Sequence, residues 1–82
     1  MKTNKAKDHH YFEKGWMCFQ AKQFDSALAL FDRYIQKGYK DPYSLFYKAN
    51  TLKALGKIDD AEIAYRESIR LDPVFIDPQM GL

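Results

Sequence analysis

The stretch LFYKANTLKALGKIDDAEIAYRESIRLDP, residues 45–73, decides how the chain folds. Leu45, Ala49, Leu52 and Leu55 recur at three- and four-residue steps, the spacing of one helix face. Gly56 follows them, and a glycine there can take the left-handed turn that ends a helix. Ile58, Ala61, Tyr65, Ile69 and Leu71 then supply a second apolar face. Asp59 and Asp60 fall in its first turn, where carboxylates suit the positive end of the helix. Pro73 has no N–H with which to continue it. The pattern predicts two helices with one sharp turn at Leu55–Gly56.

The same pattern occurs twice. A shift of 34 residues aligns five identical pairs: Phe12/Phe46, Lys14/Lys48, Asp25/Asp59, Ala27/Ala61 and Ile35/Ile69. Tyr11/Leu45, Gly15/Ala49, Cys18/Leu52, Phe24/Ile58 and Phe31/Tyr65 are similar pairs. A period of about 34 residues belongs to one helical repeat architecture. Leu45, Ala49, Gly56, Ile58, Ala61, Tyr65 and Pro73 occupy the places of its motif, so the chain resembles the tetratricopeptide repeat family over roughly residues 8–75. Four places depart from that motif: Lys48 stands for Leu, Lys22 for Gly, Tyr34 for Ala and Tyr39 for Pro.

The resemblance implies an all-α fold of two helical hairpins, four antiparallel helices stacked as a short right-handed solenoid with a short C-terminal extension. Residues 1–7 read as a polar arm, 8–41 as the first repeat and 42–75 as the second. Residues 76–82 read as a tail or a truncated third repeat. The first helix is expected over 8–21, with Tyr11, Gly15 and Cys18 toward its partner helix. A mid-helix glycine costs about 1 kcal/mol against alanine, so Gly15 implies close packing. Lys22 predicts a less sharply defined turn than Gly56. The second helix spans 24–37, with an apolar stripe of Phe24, Ala27, Leu28, Phe31, Tyr34 and Ile35. Tyr34 predicts looser or shifted packing between the repeats. Asp41 and Pro42 form a helix start, the Asp as cap and the Pro as first helical residue. The fourth helix runs from about Ile58 to Leu71.

Composition narrows function mostly by exclusion. At 82 residues the chain is one domain at most, with a modest core and a small stability margin. A net charge of +2 gives no electrostatic case for nucleic acid. A single cysteine rules out an internal disulfide and suits a reducing cytoplasm. No stretch reaches the roughly 20 apolar residues of a membrane span, and no secretion signal is visible. His9 and His10 are adjacent and point about 100° apart on a helix, so they cannot share a metal. No phosphate loop, nucleophile motif or zinc spacing is present. The expectation is a protein without enzymatic activity, cofactor or metal.

What remains is surface. In the family resembled, the first helix of each repeat lines a concave groove that holds partner peptides. The matching places are His9, Phe12, Glu13, Trp16, Phe19 and Gln20, then Tyr43, Phe46, Tyr47, Asn50, Lys53 and Ala54. Helical spacing supports the same set, because Phe12, Trp16 and Phe19 lie at i, i+4 and i+7, away from Tyr11, Gly15 and Cys18. The candidate groove is therefore Phe12, Trp16, Phe19, Tyr43, Phe46, Tyr47 and Asn50. Rings of this size give large contact area, with polar tips on Trp and Tyr that can stay wet. Three occupants are open: a segment of another protein, a second copy of this chain, or the chain's own arm or tail. A homodimer, or a fragment of a longer array, is the structural alternative to a binding module. Val74, Phe75 and Ile76 could cover the end of the stack as a short turn. The family also includes repeats that clamp a peptide carboxylate with Lys and Asn. Those places hold Phe12, Trp16, Tyr47, Asp77 and Gly81 here, so the resemblance implies an apolar or aromatic ligand instead.

Overall fold

Three short joints divide the chain into helices, and each has a local chemical cause. The computed structural model describes the backbone of residues 5–73 and the side chains of residues 10–73. Its elements are α1 (Lys5–Gln20), α2 (Phe24–Gln36), α3 (Pro42–Ala54) and α4 (Ile58–Leu71). All are helical, and the last three lie within a residue of their expected bounds. Helix α1 begins three residues before the expected start at Asp8. The expected turn of Val74, Phe75 and Ile76, the tail 76–82 and most of the arm lie outside the described residues, as does the His9 side chain.

The first and third joints close identically. Lys22 N donates to Phe19 O at 3.0 Å and Gln23 N to Cys18 O at 2.8 Å. Gly56 N donates to Lys53 O at 3.0 Å and Lys57 N to Leu52 O at 2.9 Å. These paired bonds satisfy carbonyls that a helix end leaves unpaired. The turn at Lys22 is thus as well defined as the one at Gly56, contrary to expectation. Lys22 takes φ 63° and Gly56 φ 83°. The left-handed conformation costs a non-glycine residue about 1–2 kcal/mol. Two backbone hydrogen bonds hold Lys22 in it.

The middle joint is built from side chains. Gly38, at φ 105°, ends α2. Asp41 caps α3: Ser44 N donates to Asp41 Oδ1 at 2.8 Å, and Asp41 N donates back to Ser44 Oγ at 3.2 Å. Such a cap is worth about 1 kcal/mol. The fully buried Ser44 hydroxyl lies 3.0 Å from the Tyr39 carbonyl, to which it donates. At the far end, buried Ser68 Oγ donates to the Pro42 carbonyl at 2.8 Å, tying the end of α4 to the start of α3.

Helix α1 packs on α2, α3 on α4, and α2 on α3. Gly15 explains the closeness of the first pair. A Cβ there would lie 2.9 Å from Cε1 of Phe31, whose side chain is fully buried. In the second pair, Ala49, Leu52, Ala61 and Ala64 form a cluster, and Leu28 packs against it from the first hairpin. Burying a ring such as Phe31 contributes about 1.5–3 kcal/mol.

Two packing expectations change. Tyr34 does not loosen the fold: its buried ring lies 5.3 Å from Phe12 and stacks on Tyr39 at 4.8 Å. Tyr39 thus fills, with a ring, the place where the motif has proline. In α4 the buried residues are Ala61, Ala64 and Ser68, while Ile58, Ile69 and Leu71 are exposed. Among the described residues no further helix covers that side.

Ion pairs brace the hairpins. Lys48 Nζ meets Asp32 Oδ1 at 2.8 Å across the repeats. Glu67 is held by Lys40 at 2.8 Å and Arg70 at 2.9 Å. The Lys40 hydrogen bond keeps the Glu67 carboxyl below its ordinary value, against the opposing pull of burial. Exposed pairs of this kind contribute little to stability.

Candidate protein-interaction surface

Helices α1 and α3 bring their rings into one continuous strip. It starts at Phe24, whose ring lies 5.5 Å from that of Phe19. Phe19 stacks on Trp16 at 6.0 Å, and Trp16 meets Tyr47 edge-on at 5.0 Å. Tyr47 is the hub, 5.8 Å from Phe12, 5.6 Å from Phe46 and 6.3 Å from Phe31. Phe46 extends the strip to Tyr65 at 5.8 Å. Tilted and edge-on pairs like these add about 0.5–1.5 kcal/mol each beyond burial.

The strip divides the seven candidate residues into floor and surface. Phe46 is 3% exposed, so it belongs to the floor and not to an open groove. Phe12 is half-buried between Phe31, Tyr34 and Tyr47 and serves mainly to join the hairpins. Trp16, Phe19 and Tyr47 are half-buried and keep accessible area. Tyr43, at 57% exposure, is the most open of the set. Asn50 is half-buried, and its Oδ1 accepts a hydrogen bond from the Tyr65 hydroxyl. Burial raises the Tyr65 pKa, so the phenol remains a donor at neutral pH. The bond occupies the Asn50 oxygen and leaves its amide N–H groups for another acceptor.

Sequence reasoning missed Phe24, Phe31, Tyr34 and Tyr65 as members of this cluster. The signal was present, since Phe31 and Tyr65 share a register and both stood on apolar stripes. It also missed a cavity of about 510 Å³ on the other side of α3, lined by Leu28, Ile35, Leu45, Leu52 and Ile63 among others. On α3, Leu45, Lys48 and Leu52 point toward that cavity, and Tyr43, Tyr47 and Asn50 point away from it. None of the seven candidates lines it.

Among the described residues no three His, Cys, Asp or Glu side chains come together as a metal site. Cys18 is a half-buried free thiol. Among the described residues no helix is long and apolar enough to cross a membrane.

Comparison with known proteins gives a family. The family model for the tetratricopeptide repeat matches residues 42–73. Anaphase-promoting complex subunit 7 of Homo sapiens is 34% identical over 68 residues, which cover 83% of this chain and 12% of that protein. The subunit of Mus musculus matches to the same extent. The chain therefore corresponds to a small part of the length of these relatives. No solved structure matches it. The second hairpin matches the family model directly and the first stands 34 residues before it in the same register, so the chain belongs to the tetratricopeptide repeat family.

Proposed function

We infer that the chain is a non-enzymatic binding module whose α1–α3 ring strip receives an apolar or aromatic segment of a partner protein. Tetratricopeptide repeats mediate protein–protein interaction, which sets the class. The observation that carries the finer reading is the Trp16–Tyr47 edge contact over a floor of Phe12 and Phe46. Both rings are held in place yet only half-buried, the state of an interface anchor before binding. Exposed Tyr43 and the spare amide of Asn50 add polar contacts at the edge. The relatives are named as subunits of a complex, which favours a role held against other proteins.

Selection from a random peptide library, followed by calorimetry, tests the reading. Binders should be rich in aromatic and aliphatic residues. Replacing Trp16 or Tyr43 with Ala should weaken them by roughly 5- to 30-fold, about 1–2 kcal/mol, with helix content retained. Binders dominated by acidic residues, or affinities unmoved by either change, would rule it out.

A further inference from the structure

The two hairpins share a register, so the contact joining them predicts what each outer face would do with a second copy. In α2, Leu28 packs on the second hairpin's cluster, Phe31 is buried near Tyr47, and Asp32 pairs with Lys48 at 2.8 Å. The same three places in α4 hold Glu62, Tyr65 and Arg66. On the receiving side, Leu45, Lys48 and Leu52 of α3 correspond to Tyr11, Lys14 and Cys18 of α1. Lys14 is exposed and has no ion pair among the described residues.

Dock α4 of one copy on α1 of another as α2 docks on α3. Arg66 then meets Lys14, a cation against a cation where the hairpins have an ion pair. Glu62 takes the place of Leu28 and must shed water beside Gly15 and Cys18. Both changes work against association. Glu62 and Arg66 instead pair with each other at 2.8 Å, with side chains 57% and 76% exposed.

We propose that the outer face of α4 is coded by charge to refuse a second copy of this chain. It takes instead a partner helix with an acidic residue where α1 and α3 carry Lys14 and Lys48. Tyr65 and Ile69, in the places of Phe31 and Ile35, supply the apolar contact beside Arg66. This surface shares Tyr65 with the end of the ring strip, but Arg66 and Lys14 make no ring contact in that strip, so a charge test at those two residues reads this surface alone.

A charge cycle in the full chain tests it, read by sedimentation across a concentration series. A head-to-tail contact does not close, so its signature is mass that grows past the dimer. Wild type should show no such growth. Lys14→Glu gives α1 the acid that Arg66 lacks, and Arg66→Asp restores the pair seen between Asp32 and Lys48. Each single change should tighten head-to-tail association roughly tenfold or more, and the growth should vanish at high salt. The double variant, acid against acid, should return to wild-type behaviour. Lys14 and Arg66 are both exposed, so circular dichroism should match wild type throughout. Growth past the dimer in wild type, or either single variant remaining at the wild-type mass, overturns the proposal.

Discussion

Phe31 and Tyr65 hold the same place in the two hairpins, yet Phe31 is fully buried and Tyr65 only half-buried. The residues are similar in size, and each sits on the inner helix surface of its own pair. What differs is the next helix. Helix α3 of the following hairpin packs over α2, whereas among the described residues α4 packs only on α3 of its own pair. Burial at a given register is therefore set by the stacking neighbour more than by the side chain, as expected where each repeat touches only those beside it.

The largest expected effect isolates that difference. Phe31→Ala should cost about 3–5 kcal/mol, because it opens a cavity in a rigid aromatic cluster. Tyr65→Ala should cost about 1–2 kcal/mol, from a half-buried ring and one hydrogen bond. A total stability near 5 kcal/mol is ordinary for a small domain, so Phe31→Ala should leave the chain largely unfolded. Urea melts followed by Trp16 fluorescence would compare the two. Equal losses would mean that α4 is covered as deeply as α2.

A smaller effect tests how closely the pairs approach. Gly15→Ala gains about 1 kcal/mol of helix propensity but drives a methyl into Phe31, for a net loss of about 1–2 kcal/mol. The corresponding Ala49 already accommodates its methyl at full burial, so Ala49→Gly should lose about 1 kcal/mol instead. Thermal melts of both variants would check this. A Gly15→Ala chain more stable than wild type would show that the Phe31 ring can move aside.

The smallest effect compares the turns. Lys22→Gly should stabilise by about 0.5–1 kcal/mol, by removing left-handed strain from a turn already closed by two hydrogen bonds. Gly56→Lys should destabilise by a similar amount. Denaturant midpoints suffice, and a change of the same sign in both would break the equivalence of the two turns.

These cases also show what a sequence can disclose. The 34-residue register, the Gly56 turn and the Asp41–Pro42 start were legible because each is a local backbone requirement tied to particular residue types. Lys22 was misread for the same reason. Its residue type disfavours the turn, but hydrogen bonds from Lys22 and Gln23 decide the matter, and they depend on where the following helix goes. Within the candidate surface, helical spacing put Phe12, Trp16 and Phe19 on one side of α1, and the ring contacts of Phe12 and Trp16 with Tyr47 join that side to α3. It could not foresee that Phe46 lies under Tyr47 and Tyr65, since that depends on the angle between α3 and α4. Ile58, Ile69 and Leu71 belong to the apolar face of α4 yet are exposed, because periodicity reports which side of a helix is apolar, not whether anything packs there.

One feature of the middle joint bears on how the molecule transmits motion. Residues 37–41 have little slack: Gly38 ends α2, Tyr39 stacks on Tyr34 and accepts from Ser44, and Asp41 caps α3. Ser68 then fastens α4 to the same corner through Pro42. A connection so fully engaged cannot serve as a pivot. The two hairpins are therefore expected to move as a single lever, so that a partner displacing α1 at the strip would carry the outer face of α4 along with it.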